Sequence, residues 1–239
     1  MNDAHSIAQR VRVRTVDHRW RTPGSVSGMA GTSASVVALV GIDGSGKTTQ
    51  AVRLAAALCA AGVTARYGRN AGGRRFLGRV ARKLGRDDAV SLLGRRGLLS
   101  IEAVLRWLAI ARSLVTARLT GAVAVMDRYT PCQLVSIRAH EGGEWLARTV
   151  RAAYAPFPRP AVIIFLDVPP EVAYHRVEQR GDDHEDIEYL NASYAAYKDV
   201  LSDAVHVDGS GDPDAVAEAV WAVVWPVVKR GLAVDVGLS

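Results

Sequence analysis

A glycine-rich turn between an apolar run and an alanine-rich segment restricts the possible folds of this chain more than any other feature. The turn reads Gly-Ile-Asp-Gly-Ser-Gly-Lys-Thr over residues 41–48 and follows the apolar residues 35–40. A short continuous apolar run is typical of a strand buried inside a parallel sheet. Residues 47–61 then predict a helix that ends at Gly62, since glycine favours the left-handed conformation that closes helices. The sequence therefore predicts a buried strand, a tight turn and a helix in direct succession.

The turn satisfies the pattern G-x-x-x-x-G-K-[ST], which predicts a loop that binds the phosphates of ATP together with Mg²⁺. Glycines let the backbone bring its N–H groups close to phosphate oxygens, and the N-terminus of the following helix attracts the same anion. In this pattern Lys47 reaches the β- and γ-phosphates, and the hydroxyl of Thr48 binds the metal ion. The residues of this segment that we predict to bind ATP are Gly41, Gly44, Ser45, Gly46, Lys47, Thr48 and Thr49.

Strand and helix patterns alternate along the rest of the chain. Such alternation implies right-handed crossovers and a parallel sheet that is covered on both faces. We therefore predict an α/β fold of three layers, with a five-stranded parallel sheet between two layers of helices. The predicted strands are residues 35–40, 63–67, 122–126, 161–166 and 204–207. The predicted helices are residues 47–61, 98–119, 191–201 and 213–229, together with a helix that begins at Pro169-Pro170.

Residues 1–34 differ in composition from the rest of the chain. They are polar and basic, and they show no helical or strand period, so we expect a flexible leader. Residues 35–239 are expected to form a single domain, since about 200 residues suffice for one core. The two cysteines, Cys59 and Cys132, lack metal-ligand spacing and predict free thiols in a cytoplasmic protein.

The net charge of +6 raises the question of nucleic-acid binding. Nine arginines and one lysine lie between Arg66 and Arg96, against two aspartates. Such a belt suits a protein that gathers phosphorylated small molecules, a protein that binds nucleic acid, or a solvated surface without a ligand. Because the sequence lacks a basic patch interleaved with aromatic residues, we expect no nucleic-acid partner. The sequence also has no run of 18 apolar residues, so we expect no membrane partner.

Asp127 and Arg128 follow the predicted strand of residues 122–126. Ligands bind at the carboxyl ends of parallel strands in open α/β sheets. A carboxylate at this place is suited to hold Mg²⁺, and the planar guanidinium of Arg128 is suited to a phosphate. A local salt bridge between the two residues is the alternative, but their place beside the phosphate-binding turn favours the functional interpretation.

At these residues the sequence resembles the thymidylate kinase family. Residues 41–50, with an aspartate inside the glycine-rich turn, look like the first motif of that family. Residues 127–129, Asp-Arg-Tyr, look like its second motif. Residues 165–173, followed by two arginines, look like its fourth strand and the entry to its lid. The resemblance runs from about residue 36 to residue 225.

The resemblance implies the P-loop kinase fold with a short lid at about residues 176–190. It also implies ATP and Mg²⁺ as cofactors, a phosphorylated small-molecule acceptor and a homodimer. In phosphoryl transfer the protein chiefly positions the reactants and neutralises developing charge. The implied catalytic residues are Asp43, Lys47, Asp127 and Arg128, and the implied metal ligands are Thr48 and Asp127. The implied acceptor-binding residues are Asp43, Glu102, Arg106, Arg128 and Tyr129. Outside the turn, the implied ATP-binding residues are Arg176 and Arg180.

The sequence departs from the family pattern on the acceptor side. Residues 68–73 replace the Arg-Glu-Pro-Gly-Gly-Thr stretch that usually follows the second strand. Ser136 and Ile137 stand where the family tends to have a Tyr-Gln pair that reads the base. The turn has Ser45 rather than arginine, and residues 181–186 are acidic where the lid would then supply an arginine.

Glu102 stands where the family typically has a Phe that stacks on thymine. Base stacking on an aromatic side chain contributes about 1–3 kcal/mol in other base-binding sites. Glu102 either accepts a hydrogen bond from an amino or hydroxyl group of the acceptor, or it turns to solvent on its helix. The sequence leaves both alternatives open.

The sequence thus predicts an ATP-dependent phosphotransferase, a nucleoside monophosphate kinase that acts on dTMP or a related nucleotide. One alternative is a kinase for a different small-molecule acceptor in a specialised pathway. The other is a P-loop NTPase linked to nucleic acid through the arginine belt.

Overall fold

The computed structural model describes residues 35–83, 85, 89–181 and 186–236. The predicted leader, residues 1–34, and part of the predicted lid, residues 182–185, lie outside the described residues. The strands are β1 (Val36–Val40), β2 (Ala65–Arg69), β3 (Val123–Asp127), β4 (Val162–Asp167) and β5 (Val205–Asp208). The helices are α1 (Lys47–Ala60), α2 (Arg74–Lys83), α3 (Ala89–Leu119), α4 (Thr130–Ala139), α5 (Glu144–Tyr154), α6 (Pro170–Arg180), α7 (Ile187–Val200) and α8 (Pro213–Val236).

The five strands form one parallel sheet in the order β2-β3-β1-β4-β5, which confirms the predicted sheet. Leu39 of β1 pairs with Asp127 of β3 on one side and with Ile164 of β4 on the other. Parallel strands all end at the same edge of a sheet. The glycine-rich turn after β1 and the carboxylate at the end of β3 therefore lie beside each other.

Helices cover both faces of the sheet. On one face α1 and α8 pack against the strands, with Leu58 and Val220 in contact with the cluster around Val37. On the other face α3 and α5 pack below β1 and β3, and α4, α6 and α7 pack around Phe165 of β4. All side chains of β1 are buried, as expected for a central strand between two helical layers. The three-layer α/β prediction is thus confirmed.

The helices differ from the sequence prediction in number and length. Helices α2, α4 and α5 were not predicted, and α3 begins at Ala89 rather than at residue 98. Pro131 lies in the first turn of α4, where its missing N–H removes no helical hydrogen bond. Gly94 has a φ of 68° inside α3, so the helix is interrupted at this residue. The interruption lies between the start of α3 at Ala89 and the predicted helix at residues 98–119. No helix within the described residues combines the length and the apolar character that a bilayer crossing requires.

Candidate active site

Three glycines with positive φ shape the loop after β1. Gly41, Gly44 and Gly46 have φ values of 150°, 86° and 87°, which side chains with a Cβ rarely allow. A Cβ at Gly44 would lie 2.3 Å from the carbonyl oxygen of Ala173, so glycine lets the loop approach α6 closely. Gly46 directly precedes Lys47, the first residue of α1. The N-terminus of α1 therefore faces the loop and favours an anion there.

The ammonium group of Lys47 lies inside this loop and is almost fully buried. Its Nζ donates a 2.5 Å hydrogen bond to the carbonyl oxygen of Ile42 and lies 3.4 Å from Oγ of Ser45 and 3.6 Å from Oδ1 of Asp43. Burial lowers the pKa of Lys47, the positive charge of Arg128 lowers it further, and Asp43 opposes both effects. Lys47 thereby places a cation in the middle of the predicted phosphate site.

The carboxylate of Asp127 lies next to the first turn of α1. Its Oδ2 accepts a 2.5 Å hydrogen bond from Oγ1 of Thr48 and a 3.1 Å hydrogen bond from the hydroxyl of Tyr67. Burial, together with the negative charge of Asp127, raises the pKa of Tyr67 to about 12, so this hydroxyl remains a donor. The other oxygen, Oδ1, is buried and has no hydrogen-bond partner within the part of the chain that the structure describes.

Thr48 and Asp127 therefore offer a hydroxyl and an unused carboxylate oxygen side by side. In nucleotide sites Mg²⁺ is bound through one or two carboxylates together with substrate phosphates and water. The two side chains that the sequence predicted as metal ligands fit such a magnesium ion.

Asp43 and Arg128 form an ion pair between the loop and the end of β3. A terminal guanidinium nitrogen of Arg128 contacts Oδ1 of Asp43. Burial alone would raise the pKa of Asp43, but the positive charges of Arg128 and Lys47 outweigh burial and hold the pKa well below its usual value. Arg128 has a φ of 72°, which is unusual for a residue with a side chain. The pair thus joins two predicted catalytic residues, both of which keep their charge.

Glu102 and Arg106 lie one turn apart on α3, and both side chains are buried. Of the two alternatives for Glu102, the one in which its side chain turns to solvent is wrong, because only 2% of the residue is exposed. The segment after β2 covers both residues: a Cβ at Gly72 would lie 3.0 Å from Nη2 of Arg106 and 3.4 Å from Cβ of Glu102. Nη1 of Arg106 donates a 2.8 Å hydrogen bond to Oε1 of Gln133 on α4. Nε of Arg106 is buried without a hydrogen-bond partner among the described residues.

Tyr129 lies in the core below β3. Its hydroxyl donates a 2.7 Å hydrogen bond to the carbonyl oxygen of Pro158, and its ring lies 6.5 Å from that of Phe157. Only 1% of Tyr129 is exposed. Tyr129 thus packs behind Arg128, and the acceptor-binding role that the resemblance implies for it stays a prediction.

Arg176 and Arg180 lie on α6, beside the loop that follows β5. The guanidinium of Arg176 donates 2.8 Å hydrogen bonds to the carbonyl oxygens of Gly209 and Ser210. Nε of Arg180 donates to the carbonyl oxygen of Arg176 over 3.1 Å. Arg176 therefore fixes the loop after β5 at the carboxyl edge of the sheet, while Arg180 contacts its own helix.

The chain matches the family model described as Thymidylate kinase over residues 39–218. It is 31% identical over 205 residues to the thymidylate kinase of Solidesulfovibrio magneticus, which covers 79% of this chain and 97% of that protein. It is 32% identical over 201 residues to the thymidylate kinase of Xanthomonas campestris pv. campestris, which covers 79% of this chain and 82% of that protein. The chain belongs to the thymidylate kinase family. It is therefore an ATP-dependent nucleoside monophosphate kinase.

In this kinase the structure brings most of the predicted site residues to one edge of the sheet. Lys47, Thr48 and Asp127 meet at the loop, and Asp43 meets Arg128 beside them. The sequence prediction missed three polar residues that contact predicted site residues: Tyr67 bonds to Asp127, Asn70 to Arg128 and Gln133 to Arg106. Their partners depend on how β2 pairs with β3 and on the unpredicted helix α4, so no local pattern marked them.

Proposed function

We propose that this kinase transfers the γ-phosphoryl group of Mg-ATP to the phosphate of dTMP. A phosphate oxygen of dTMP attacks the γ-phosphorus, the bond from that phosphorus to the β,γ-bridging oxygen breaks, and ADP and dTDP leave. The observation that carries the proposal is the contact of Asp43, inside the phosphate-binding loop, with Arg128, next to Asp127. This contact joins a donor loop to an arginine suited to a second phosphate.

On the donor side, the backbone of the loop and the N-terminus of α1 bind the β- and γ-phosphates. Lys47 is already inside the loop and exchanges the carbonyl oxygen of Ile42 for phosphate oxygens as ATP binds. Thr48 and Asp127 would hold Mg²⁺, which would supply positive charge to neutralise the phosphates of ATP. Arg176 supports the adenine end, because it fixes the loop after β5.

On the acceptor side, Arg128 binds the phosphate of the incoming nucleotide and releases Asp43 in part. Asp43 then orients the acceptor, and its low pKa keeps it ionised at neutral pH. Arg106 lies behind this site with an unused Nε, and Gln133 holds its orientation. Positioning of two phosphates in line accounts for most of the catalysis in such reactions.

A second acceptor class is supported by Glu102. A buried carboxylate stands one turn before Arg106, at the place where the family typically has a stacking Phe. A carboxylate accepts hydrogen bonds and gives no stacking platform, so it favours a nucleotide whose base carries an amino donor over one that depends on stacking. Sites built around a hydrogen bond discriminate strongly against acceptors that lack the partner group.

A panel of acceptors tests both candidates. Purified protein with Mg-ATP is offered dTMP, other nucleoside monophosphates, nucleosides and a sugar phosphate, and ADP formation is measured, with Lys47→Ala as the control. Transfer to dTMP supports the first candidate. Transfer to an amino-bearing nucleotide only, lowered at least about tenfold by Glu102→Gln, supports the second. Turnover stimulated by DNA or RNA, without any small-molecule acceptor, overturns both.

We further propose that the kinase is a homodimer formed through α3. Val104, Leu108, Val115 and Leu119 expose between 53% and 82% of their surface. Their spacing places them along one stripe of the helix, opposite the buried stripe that packs on the sheet. Four exposed apolar side chains along one side of a helix are more typical of an interface than of a solvated surface. A second copy of the chain, with the same stripe, is the occupant we propose.

A cytoplasmic location is proposed together with this activity. Both cysteines are free, with Cys59 exposed and Cys132 buried. Free exposed thiols are typical of proteins that work in a reducing compartment.

A further inference from the structure

We propose that Asn70, in the segment after β2, positions Arg128 for the acceptor phosphate, and that Ser113 of α3 supports it. The inference rests on the proposed function, which assigns the acceptor phosphate to Arg128. Asn70 is completely buried, although asparagine is mostly exposed in proteins. It lies in the stretch where this chain departs from the family pattern, and it contacts neither the loop nor its lysine in the described hydrogen bonds.

The backbone N–H and both polar atoms of the Asn70 side chain have partners. Its backbone N–H donates a 3.1 Å hydrogen bond to the carbonyl oxygen of Asp127. Its Nδ2 donates a 2.8 Å hydrogen bond to the carbonyl oxygen of Arg128 and lies 3.3 Å from Sδ of Met126. Its Oδ1 accepts a 3.2 Å hydrogen bond from Oγ of Ser113. Asn70 thus ties the end of β3 to α3.

The backbone of Arg128 needs such support. Successive side chains of a strand point to opposite faces, yet Asp127 contacts Thr48 and Arg128 contacts Asp43, both at the phosphate-binding loop and its helix. The left-handed conformation of Arg128, with a φ of 72°, turns its side chain toward the loop, on the side to which Asp127 already points. This conformation is disfavoured for a residue with a Cβ and persists only where its surroundings hold it.

Hydrogen bonds hold both sides of Arg128. Its N–H donates a 3.0 Å hydrogen bond to the carbonyl oxygen of Leu39 in β1, and its carbonyl oxygen accepts from Asn70. The first bond continues the sheet ladder and would form for any residue that extends β3. The second bond forms only where a side chain supplies the donor. Asn70 is therefore the residue that selects the left-handed conformation of Arg128.

Ser113 reaches Asn70 because β2 has a glycine opposite it. A Cβ at Gly68 would lie 2.8 Å from Oγ of Ser113 and 3.0 Å from Sδ of Met126. Without that Cβ, the hydroxyl approaches the strand and donates to Oδ1 of Asn70. Because Oδ1 of Asn70 accepts from Ser113, Nδ2 is the end of the amide group that faces Arg128. The orientation of the amide is therefore defined.

Asn70→Asp tests the proposal with almost no change in shape. The variant replaces the donor that faces the carbonyl oxygen of Arg128 by a carboxylate oxygen, which accepts only. Tyr154→Phe is the matched control, since it removes a buried 2.6 Å hydrogen bond to the carbonyl oxygen of Ala103 without touching Arg128. Hydrogen exchange of the Arg128 amide, measured by NMR, reports on the turned backbone whatever the acceptor is. The KM values for dTMP and for ATP report whether this backbone conformation serves the binding of each substrate.

In Asn70→Asp the Arg128 amide is expected to exchange about tenfold faster, while the Val125 amide in the middle of β3 stays within about twofold of wild type. The KM for dTMP is expected to rise about tenfold and the KM for ATP less than about twofold. Tyr154→Phe is expected to change none of these four quantities beyond about twofold.

Unchanged exchange at Arg128, or equal acceleration at Val125, overturns the proposal. If Asn70→Asp does not fold, Ser113→Ala carries the test, with the Arg128 amide expected to exchange about threefold faster and no change contradicting the proposal. A wild-type protein that does not phosphorylate dTMP contradicts the proposed function, whereas the exchange measurement still decides the role of Asn70.

Discussion

Oγ1 of Thr48, at the start of α1, donates a 2.5 Å hydrogen bond to Oδ2 of Asp127, at the end of β3. The two residues are 79 positions apart in the sequence. They meet because β1 and β3 are neighbours and Leu39 pairs with Asp127. These two side chains are the proposed ligands of the metal ion that accompanies ATP, and Oδ1 of Asp127 has no hydrogen-bond partner among the described residues.

Asp127→Asn is expected to lower kcat by at least about 100-fold, because loss of a charge that organises the reacting phosphates costs several kcal/mol. ATP binding in the presence of EDTA should change less than about threefold, since the loop and Lys47 are untouched. Steady-state kinetics and calorimetric titration with ATP measure the two effects. A kcat within tenfold of wild type would remove Asp127 from the mechanism.

Tyr67→Phe is expected to lower kcat about fivefold at limiting Mg²⁺, with partial recovery at high Mg²⁺. The hydroxyl of Tyr67 donates to Oδ2 of Asp127 over 3.1 Å, and one such hydrogen bond contributes about 1 kcal/mol. The measurement is kcat as a function of free Mg²⁺ at saturating ATP. Tyr194→Phe is the matched control, because its hydroxyl bonds to Asp167 on another strand. Equal loss in both variants contradicts a specific role for Tyr67.

Asp43 is expected to stabilise the folded protein in a defined range of pH. Its pKa is lower in the folded chain than its ordinary value of 3.8, because the attraction of Arg128 and Lys47 outweighs burial. A carboxyl group whose pKa is lower in the folded chain than in the unfolded chain stabilises the folded protein. This contribution is fully present above the pKa of the unfolded chain and is lost as the pH falls toward the pKa of the folded chain. The difference in the free energy of unfolding between wild type and Asp43→Asn should therefore be constant from pH 7 to about pH 5 and shrink below 3.8.

Urea unfolding at a series of pH values measures this difference. Asp199→Asn is the control, since its carboxylate is largely exposed and lies 3.7 Å from Arg138 at the surface. Exposed pairs of this kind contribute little to stability, so its difference should stay small at every pH. A difference for Asp43 that grows as the pH falls contradicts the predicted direction.

Leu108→Glu is expected to raise the dimer dissociation constant by more than about 30-fold, because it places a charge in the centre of the apolar stripe on α3. Val52→Glu on α1 is the matched control, with 47% of the valine exposed away from that stripe. Light scattering after size exclusion measures the mass of each variant. A wild-type protein that is monomeric at micromolar concentration contradicts the proposed homodimer.

Much of the fold follows from local patterns in the sequence. Continuous apolar runs predicted β1, β3 and β4, because a strand buried on both faces admits few polar side chains. The edge strand β2 was placed two residues early, since it contains two arginines and is only partly buried. The arginine-rich helix α2 and the proline-led helix α4 were missed because their composition is typical of loops.

The site was predictable where one motif holds it and not where distant segments meet. The glycine-rich turn and Asp127-Arg128 carry their chemistry in consecutive residues. Tyr67 lies diagonally from Asp127 on the sheet, a relation that depends on the pairing of Tyr67 with Val125. Asn70 acts through the backbone of Arg128, and backbone acceptors leave no mark in a sequence. The burial of Glu102 likewise depends on the segment that crosses above it.

The fate of the labelled γ-phosphate of ATP shows whether the protein transfers it to dTMP. Wild-type protein is incubated with [γ-³²P]ATP, Mg²⁺ and dTMP, and Lys47→Ala is treated in parallel. We expect the label to appear in dTDP with wild type and transfer to be lost in Lys47→Ala. Label that appears as inorganic phosphate, with none in dTDP, would contradict the account.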